Sequence, residues 1–526
     1  MLARPSPTVR SLAPRCARAL TVGVALLALA VAAFLAPAAR AQSAIPAEDV
    51  KRYRKELAPG APLEKRLAAI ENVAFYDTVA AAKLLMEHLV ATLERLDELG
   101  AERKAVDGKI DKILRAQIEK GGKGGTPNYS GVEELQLEQK TLGMRISNEE
   151  AAVVAYGDAF TRCKRDDTLD YLMAAPPKKP ARLRLVLLEV LGRIDHGKVA
   201  EHLIGQLDDP VVEVRLAVAA ALLKQRPEFI PPGALAPLLR GPEWQERSIA
   251  VDALARIGDR TALELLINQT AKETGKPLAD LCGRLEQITG QKFGKTPAAG
   301  VDWWQRSRDA FAPRGIDVTQ PAQVSKETGK YADFFKIKFD SLKVVYVVDI
   351  SGSMLAAIDD YEDLAPEAGK SRVDLMRREV KGSIQSLPPE ASFNVIAYSD
   401  VVIPWNDRNL MATPDNKKKA AEWLDGLAAA GQTNIFDALE TAFRLAPNSG
   451  KDKYYATTGD TILFLSDGGP TCGRTTDCEE ILREVKKWNE TRRITIHAVG
   501  IGAQTVENFL KALAKENGGN STFIKK

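Results

Sequence analysis

The feature that most constrains this chain is a change of texture in its last third. From Lys343 onward, continuous apolar runs alternate with helical patterns. KVVYVVD (343–349), SFNVIAY (392–398), DTILFLSD (460–467) and RITIHAVG (493–500) are runs with no polar alternation. Between and after them stand SRVDLMRREVKGSIQSL, NKKKAAEWLDGLAAA, NIFDALETAFRLA, CEEILREVKKWNE and TVENFLKALAKENG, with apolar residues at three-to-four spacing. Strands that are apolar on both faces belong to a mostly parallel sheet covered by helices on both sides. The expectation is therefore a doubly wound, Rossmann-like α/β domain over 341–526. In such sheets a ligand sits past the carboxyl ends of the strands, where the strand order reverses.

Three sequence pieces are expected at that edge. Asp349-Ile350-Ser351-Gly352-Ser353 follows the first run directly. Gly431-Gln432-Thr433-Asn434 precedes a helix. Ser466-Asp467-Gly468-Gly469 follows the run at 460. They bring carboxylates and hydroxyls, which are hard oxygen ligands, with no soft ligand among them. That chemistry selects Mg²⁺, Mn²⁺ or Ca²⁺ over zinc or copper. Alternate residues of Asp-x-Ser-x-Ser can face one ion, with Gly352 easing the turn. Two carboxylates cancel a divalent charge while hydroxyls add none, so the ion stays electrophilic toward a further anionic ligand.

DISGSM, GQTNIFDAL and LSDGGPT, in this order and spacing, resemble the metal-ion-dependent adhesion site of von Willebrand factor type A domains. The resemblance covers residues 343–526, about a third of the chain. It implies that Ser351, Ser353 and Thr433 coordinate a metal directly, and that Asp349 and Asp467 do so directly or through water. The loop 355–370 beside this site carries Asp359, Asp360, Glu362, Asp363 and Glu367 and reads as a solvated acidic loop, the alternatives being a specificity loop or an extra Ca²⁺ site. His497, in an apolar run, reads as a core histidine.

The chain ahead of this domain is helical in pattern. Residues 47–175 contain a long amphipathic stretch with Leu93, Leu96, Leu99, Val106, Ile110, Ile113, Leu114 and Ile118 at helical spacing. It stops at the glycine-rich segment 121–131 and resumes from Val132 to about Leu172, so a coiled-coil-like helical hairpin is expected. Residues 181–270 carry an internal repeat. Arg184, Arg215 and Arg247 recur at about 31-residue spacing, and Leu191, Leu222 and Leu254 keep the same offsets. Units of this period must stack to bury their apolar faces. They resemble HEAT-like repeats, which implies an α-solenoid that scaffolds or binds protein. Residues 271–340 read as a linker or cap in which Trp303 and Trp304 pack on the end of the stack. Gly290–Thr296 lacks one residue of a phosphate-binding loop and no strand precedes it, so nucleotide binding is not expected.

Residues 1–41 read as a secretory signal peptide: Arg4, Arg10, Arg15 and Arg18, then an apolar run from Ala19 to Ala36, then Ala39-Arg40-Ala41 before Gln42. The competing reading is a retained anchor. Lys+Arg number 73 against 70 Asp+Glu, for a net charge of +3, and removing the five arginines of the segment leaves −2. A near-neutral chain has no overall pull toward nucleic acid. With no other stretch apolar enough to span, the processed protein is expected to be exported, to a periplasm or outside the cell, with no membrane span. In an oxidising compartment Cys472 and Cys478, six positions apart in a polar loop, are expected to form a disulfide. Cys163 and Cys282 read as free buried thiols. The function expected from all this is non-enzymatic: an exported binding or scaffold protein that engages an acidic residue or other anion on a partner through Mg²⁺ (or Mn²⁺/Ca²⁺). A metal-independent structural scaffold is the alternative. A metal-dependent hydrolase lacks a candidate catalytic histidine or a second ligand cluster.

Overall fold

The computed structural model describes residues 44–121, 132–174, 181–293, 296–319, 332–339, 341–358, 371–444, 459–502 and 506–524. The expected signal segment, the glycine-rich stretch from 122 and the acidic residues 359–367 lie outside the described residues. The chain divides into two compact units.

The first unit comprises residues up to Arg95 together with Glu149–Pro180. It contains α1 (Ala47–Glu56), α2 (Leu63–Ala74), the start of α3 (Val79–Gly121), the end of α4 (Glu133–Phe160) and α5 (Asp166–Met173). Leu57, Val73, Leu89, Leu93, Tyr156 and Phe160 are fully buried in it. Arg66 is buried among them, 1% exposed. Its guanidinium donates to Glu149 at 2.8 Å and to the Thr92 hydroxyl at 2.9 Å. Burying a guanidinium is tolerated because a carboxylate and a hydroxyl replace its water.

The second unit comprises Leu96–Asn148 and Ala181–Lys526. In its first segment the distal parts of α3 and α4 run antiparallel: Gln139 donates to Asp107 at 2.7 Å and Arg145 meets Glu102 at 3.5 Å. Then follow α6 (Ala181–Gly192), α7 (Gly197–Ile204), α8 (Val212–Lys224), α9 (Ala236–Leu239), α10 (Trp244–Ile257), α11 (Arg260–Gln269), α12 (Gly275–Thr289) and α13 (Pro297–Ser307). The alternate helices α6, α8, α10 and α12 pack on one another in succession. The repeating arginines do the same work in each layer. Arg215 donates to Glu246 at 2.7 Å and to the carbonyl of Asp209, six residues back. Arg247 donates to Glu273 at 2.7 Å and to the carbonyl of Gly241, again six back. Leu191, Leu222 and Leu254 are buried between the layers. The packing continues past 270, in the segment read as a linker or cap. Residue 275 opens another helix of the series, and Arg284 reaches back to Asp252 at 2.8 Å. Helix α13 rests on α11. Trp303 packs edge-on to Phe311 at 5.1 Å.

The hairpin β1 (Ala332–Phe334) and β2 (Ile337–Phe339) leads into β3 (Lys343–Asp349). The remaining elements are α14 (Arg372–Ser386), β4 (Ser392–Tyr398), β5 (Val402–Pro404), β6 (Leu410–Met411), α15 (Pro414–Gly426), α16 (Ile435–Arg444), β7 (Thr461–Ser466), α17 (Cys478–Arg492), β8 (Thr495–Ile501), α18 (Glu507–Glu516) and β9 (Ser521–Ile524). The sheet order is β5-β4-β3-β7-β8-β9, with β6 also paired to β4. Neighbours from β4 to β9 are parallel, and β5 and β6 are antiparallel edges. The absence of polar alternation in β3 is explained by its two cores. Val344, Tyr346 and Val348 face α14, α15 and the β1–β2 hairpin. Val345 and Val347 face α16, α17 and α18. Each fully buried side chain of this kind contributes roughly 1.5–3 kcal/mol. His497 is a core residue as expected: its Nδ1 accepts the Asn520 N–H at 3.0 Å, and burial lowers its pKa to about 4. Helix α17 also lies against α8 and α10. There Arg493 pairs with Asp252.

Candidate metal centre

The chain runs from β3 to β4 on one side of it and later returns to β7 on the other side. The strand order therefore reverses between β3 and β7, and both strands end in the expected site residues. Asp349 is the last residue of β3, and Asp467 follows the last residue of β7. The third piece arrives by backbone bonds. The Ala430 N–H donates to the Ile350 carbonyl at 2.9 Å, and the Gly352 N–H donates to the Gly431 carbonyl at 3.0 Å. Gly431 sits at φ +83°, a left-handed conformation that a side chain would strain. Thr433 is then held by Thr471: its N–H donates to the Thr471 hydroxyl at 2.8 Å, and its carbonyl accepts the Thr471 N–H at 2.9 Å.

The side chains form one network. The Ser353 hydroxyl donates to Asp467 Oδ1 at 2.7 Å and lies 3.0 Å from the Ser351 hydroxyl. The Ser351 N–H donates to Asp349 Oδ1 at 2.8 Å. The other oxygen of Asp349 accepts from the Ser466 hydroxyl at 2.8 Å. Asp349, Ser351, Ser353 and Asp467 are thus brought together by direct contacts, and Thr433 joins them through the backbone of its loop. All are buried except Ser353, which is exposed at the rim while its hydroxyl turns in to Asp467.

Asp349 is 0% exposed, and burial pushes its pKa up to about 6, with the charge of Asp467 adding to the rise and the Ser351 hydrogen bond opposing it. Among the described residues no lysine or arginine pairs with it. A buried carboxylate with hydroxyls around it and no protein cation is a donor set suited to a hard metal ion. Among the described residues no group of three histidines, cysteines or acids is gathered as a metal site. The candidate centre rests instead on two carboxylates and hydroxyls.

Two participants carried no signal in the sequence. Arg372, the first residue of α14, donates to Asp467 Oδ2 at 2.7 Å. Tyr398 donates to the Leu465 carbonyl at 3.0 Å and lies 3.5 Å from Asp349 Oδ2. They reach the site from different elements, so no local spacing links them to the motif. Thr471, which braces Thr433, is the last residue of the LSDGGPT piece. Cys472 and Cys478 do not form the expected bridge; both are free thiols. Cys472 is held toward Thr433, its N–H 3.4 Å from that carbonyl, while Cys478 packs on the core beneath α16–α18. Burial pushes the Cys472 thiol up to about 12.

A family model described as the von Willebrand factor type A domain matches residues 342–523. The C-terminal domain is of that type. The chain is 29% identical over 177 residues to inter-alpha-trypsin inhibitor heavy chain H4 of Homo sapiens, covering 34% of this chain and 17% of that protein. It is 27% identical over 209 residues to heavy chain H3 of Mesocricetus auratus, covering 39% of this chain and 22% of that protein. The match spans about a fifth of these relatives' length. Among solved structures, a von Willebrand factor type A protein from Catenulispora acidiphila is similar at 22% identity, with 36% of this chain and 40% of that chain covered and a TM-score of 0.27. Proximal thread matrix protein 1 from the mussel byssus, with a zinc-occupied MIDAS motif, is similar at 19% identity, with 35% and 41% covered and a TM-score of 0.24. None of the described helices is long and apolar enough to cross a membrane.

Proposed function

We propose that the C-terminal domain binds one Mg²⁺ or Mn²⁺ through Asp349, Ser351, Ser353, Thr433 and Asp467, and uses it to engage an acidic residue or other anion on a protein partner. The observation that carries this reading is Asp349, a fully buried carboxylate with hydroxyl and amide partners and no protein cation. A bound divalent ion would supply a coordination position for an anionic oxygen. The chain's own part is to orient the ligands. Ser466 and the Ser351 amide fix the Asp349 carboxylate, Ser353 fixes Asp467, and the Gly431 turn sets Thr433. In this reading the chain is exported through the segment 1–41 and is not an enzyme. The stacked helices 181–270 are HEAT-like and, with the helical hairpin, form the scaffold that presents the site. The type A domain and the heavy-chain relatives support a protein-binding role.

One observation favours the metal-independent scaffold: Arg372 already balances Asp467. Calorimetric titration of the full chain with Mg²⁺ and Mn²⁺ separates the two. Saturable one-to-one binding that Thr433→Ala weakens at least about tenfold supports the metal reading. No heat with either ion in the wild type overturns it and leaves the scaffold.

A further inference from the structure

Arg372 is an unusual neighbour for a cation-binding site. It is the first residue of α14, where the helix dipole disfavours a positive charge. The first-turn acid of that helix is otherwise engaged, because Asp374 closes a capping box with Ser371 and pairs with Arg377. The guanidinium instead meets Asp467 Oδ2 at 2.7 Å, while Ser353 holds Oδ1 at 2.7 Å, so both oxygens of this carboxylate are claimed from opposite sides. The guanidinium also has a fitted seat. Gly502 lies at φ +79°, and a Cβ there would come 2.6 Å from Arg372 Nη2, 2.7 Å from Cζ and 2.9 Å from Nε. A side chain there would push the guanidinium out of this seat, and the positive φ favours glycine as well.

We propose that Arg372 is a resident counter-cation of the metal centre, a positioning residue that orients Asp467 when no metal is bound and lowers the site's affinity for divalent ions when one is. This rests on the metal reading above. Without an ion, Asp349 and Asp467 repel each other, and Arg372 offsets one of the two charges. With an ion, two carboxylates cancel the divalent charge and the guanidinium leaves the site with one net positive charge. That weakens metal retention, keeps the ion exchangeable and favours an anionic partner group.

The test uses the full chain, with thermal unfolding in EDTA and in saturating Mn²⁺, and a calorimetric Mn²⁺ titration. Arg372→Gln is expected to lower the unfolding temperature of the C-terminal domain in EDTA by about 4 °C. The deficit should close in saturating Mn²⁺, and the Mn²⁺ dissociation constant should fall about tenfold. Arg372→Lys keeps the charge and should recover most of the EDTA stability and a wild-type affinity. A deficit of the same size with and without Mn²⁺ makes Arg372 a fold residue and overturns the proposal, as does unchanged or weaker Mn²⁺ binding by Arg372→Gln. Should Arg372→Gln not fold, Arg372→Lys with altered affinity overturns it and with unaltered affinity supports it. A wild-type chain that takes up no Mn²⁺ sinks the metal reading together with this one. A wild type that binds while Arg372→Gln binds no tighter sinks this one alone.

Discussion

Buried carboxylates occur in the helical stack and at the edge of the sheet, and they are handled differently. In the stack each has an arginine: Glu246 has Arg215, Glu273 has Arg247, and Asp252 has both Arg284 and Arg493. Asp460, at the other end of β7, feels Lys276 and Lys343. Asp349 alone of this set has only hydroxyls and an amide. The difference teaches how to read a buried acid. In the stack, where the chain supplies the counter-charge, the acid holds layers together; Asp467 at the sheet edge is the mixed case, with Arg372 on one oxygen and Ser353 on the other. Where it supplies neutral donors that orient but do not neutralise, the acid is prepared for a cation from outside.

The largest effect expected from this contrast is on ion binding. Asp349→Asn keeps the side chain's size and removes the charge. It should weaken Mn²⁺ binding at least about a thousandfold, roughly 4 kcal/mol, while leaving stability in EDTA unchanged or raised, since no pair is broken. The matching change in the stack should go the other way. Arg215→Ala leaves Glu246 buried with one oxygen already unpartnered, and should destabilise the chain by about 3–4 kcal/mol in denaturant melts while Mn²⁺ binding stays as in the wild type. If Asp349→Asn proves as destabilising as Arg215→Ala, Asp349 is a structural acid and the contrast fails.

Much of this was legible in the sequence, for reasons that also mark where legibility ended. The runs at 343, 392, 460 and 493 are buried on both faces, so their apolar continuity maps directly onto parallel strands. The five ligand candidates lie in loops immediately after or before those elements, where a local motif and a spatial site coincide. Arg184, Arg215 and Arg247 were visible as a period but not as ion-pair donors, because their acids sit about a repeat away. Arg372 was invisible: nothing in SRVDLMRREV says which residue of a helix start will face a strand end 95 positions later. Helix α12 was not read as part of the row, because its proline, Pro277, lies inside the helix rather than ahead of it and the alanine-rich second half of the repeat is missing.

A smaller effect tests whether a buried neutral group behaves like a buried charged one. Among the described residues no acid pairs with His497, and burial, aided by the charge of Lys276, lowers its pKa from 6.5 to about 4. The unfolded chain therefore binds a proton that the folded chain refuses between those values. Stability from this group is complete above pH 6.5 and is lost as pH falls toward 4, by about 3 kcal/mol in all. His497→Gln keeps an acceptor for the Asn520 N–H and should flatten that part of the stability profile, measured by denaturant melts at pH 7, 5.5 and 4.5. Parallel loss in wild type and variant would mean that carboxylates alone set the acid limit.

The smallest effect concerns an ion pair that ties the hairpin to the neighbourhood of the ligand loops. Arg103 on α3 donates to Asp437 Oδ1 at 2.9 Å. The other oxygen of Asp437 accepts from Asn434 at 2.8 Å, and Asn434 in turn caps α16 by accepting the Asp437 N–H at 3.2 Å. Asn434 follows Thr433, so a path of contacts leads from the hairpin to a proposed ligand. The contrast between the two kinds of acid nevertheless predicts that this pair is structural. Arg103 supplies Asp437 with its counter-charge, Asn434 keeps Asp437 in place without it, and Thr433 is set by Thr471 and by the Gly431–Gly352 bond. Arg103→Ala should cost about 1 kcal/mol of stability and change Mn²⁺ affinity by less than about twofold. A tenfold loss of Mn²⁺ affinity in this variant would mean that the hairpin controls the position of Thr433. The scaffold and the ion site would then have to be treated as one coupled element.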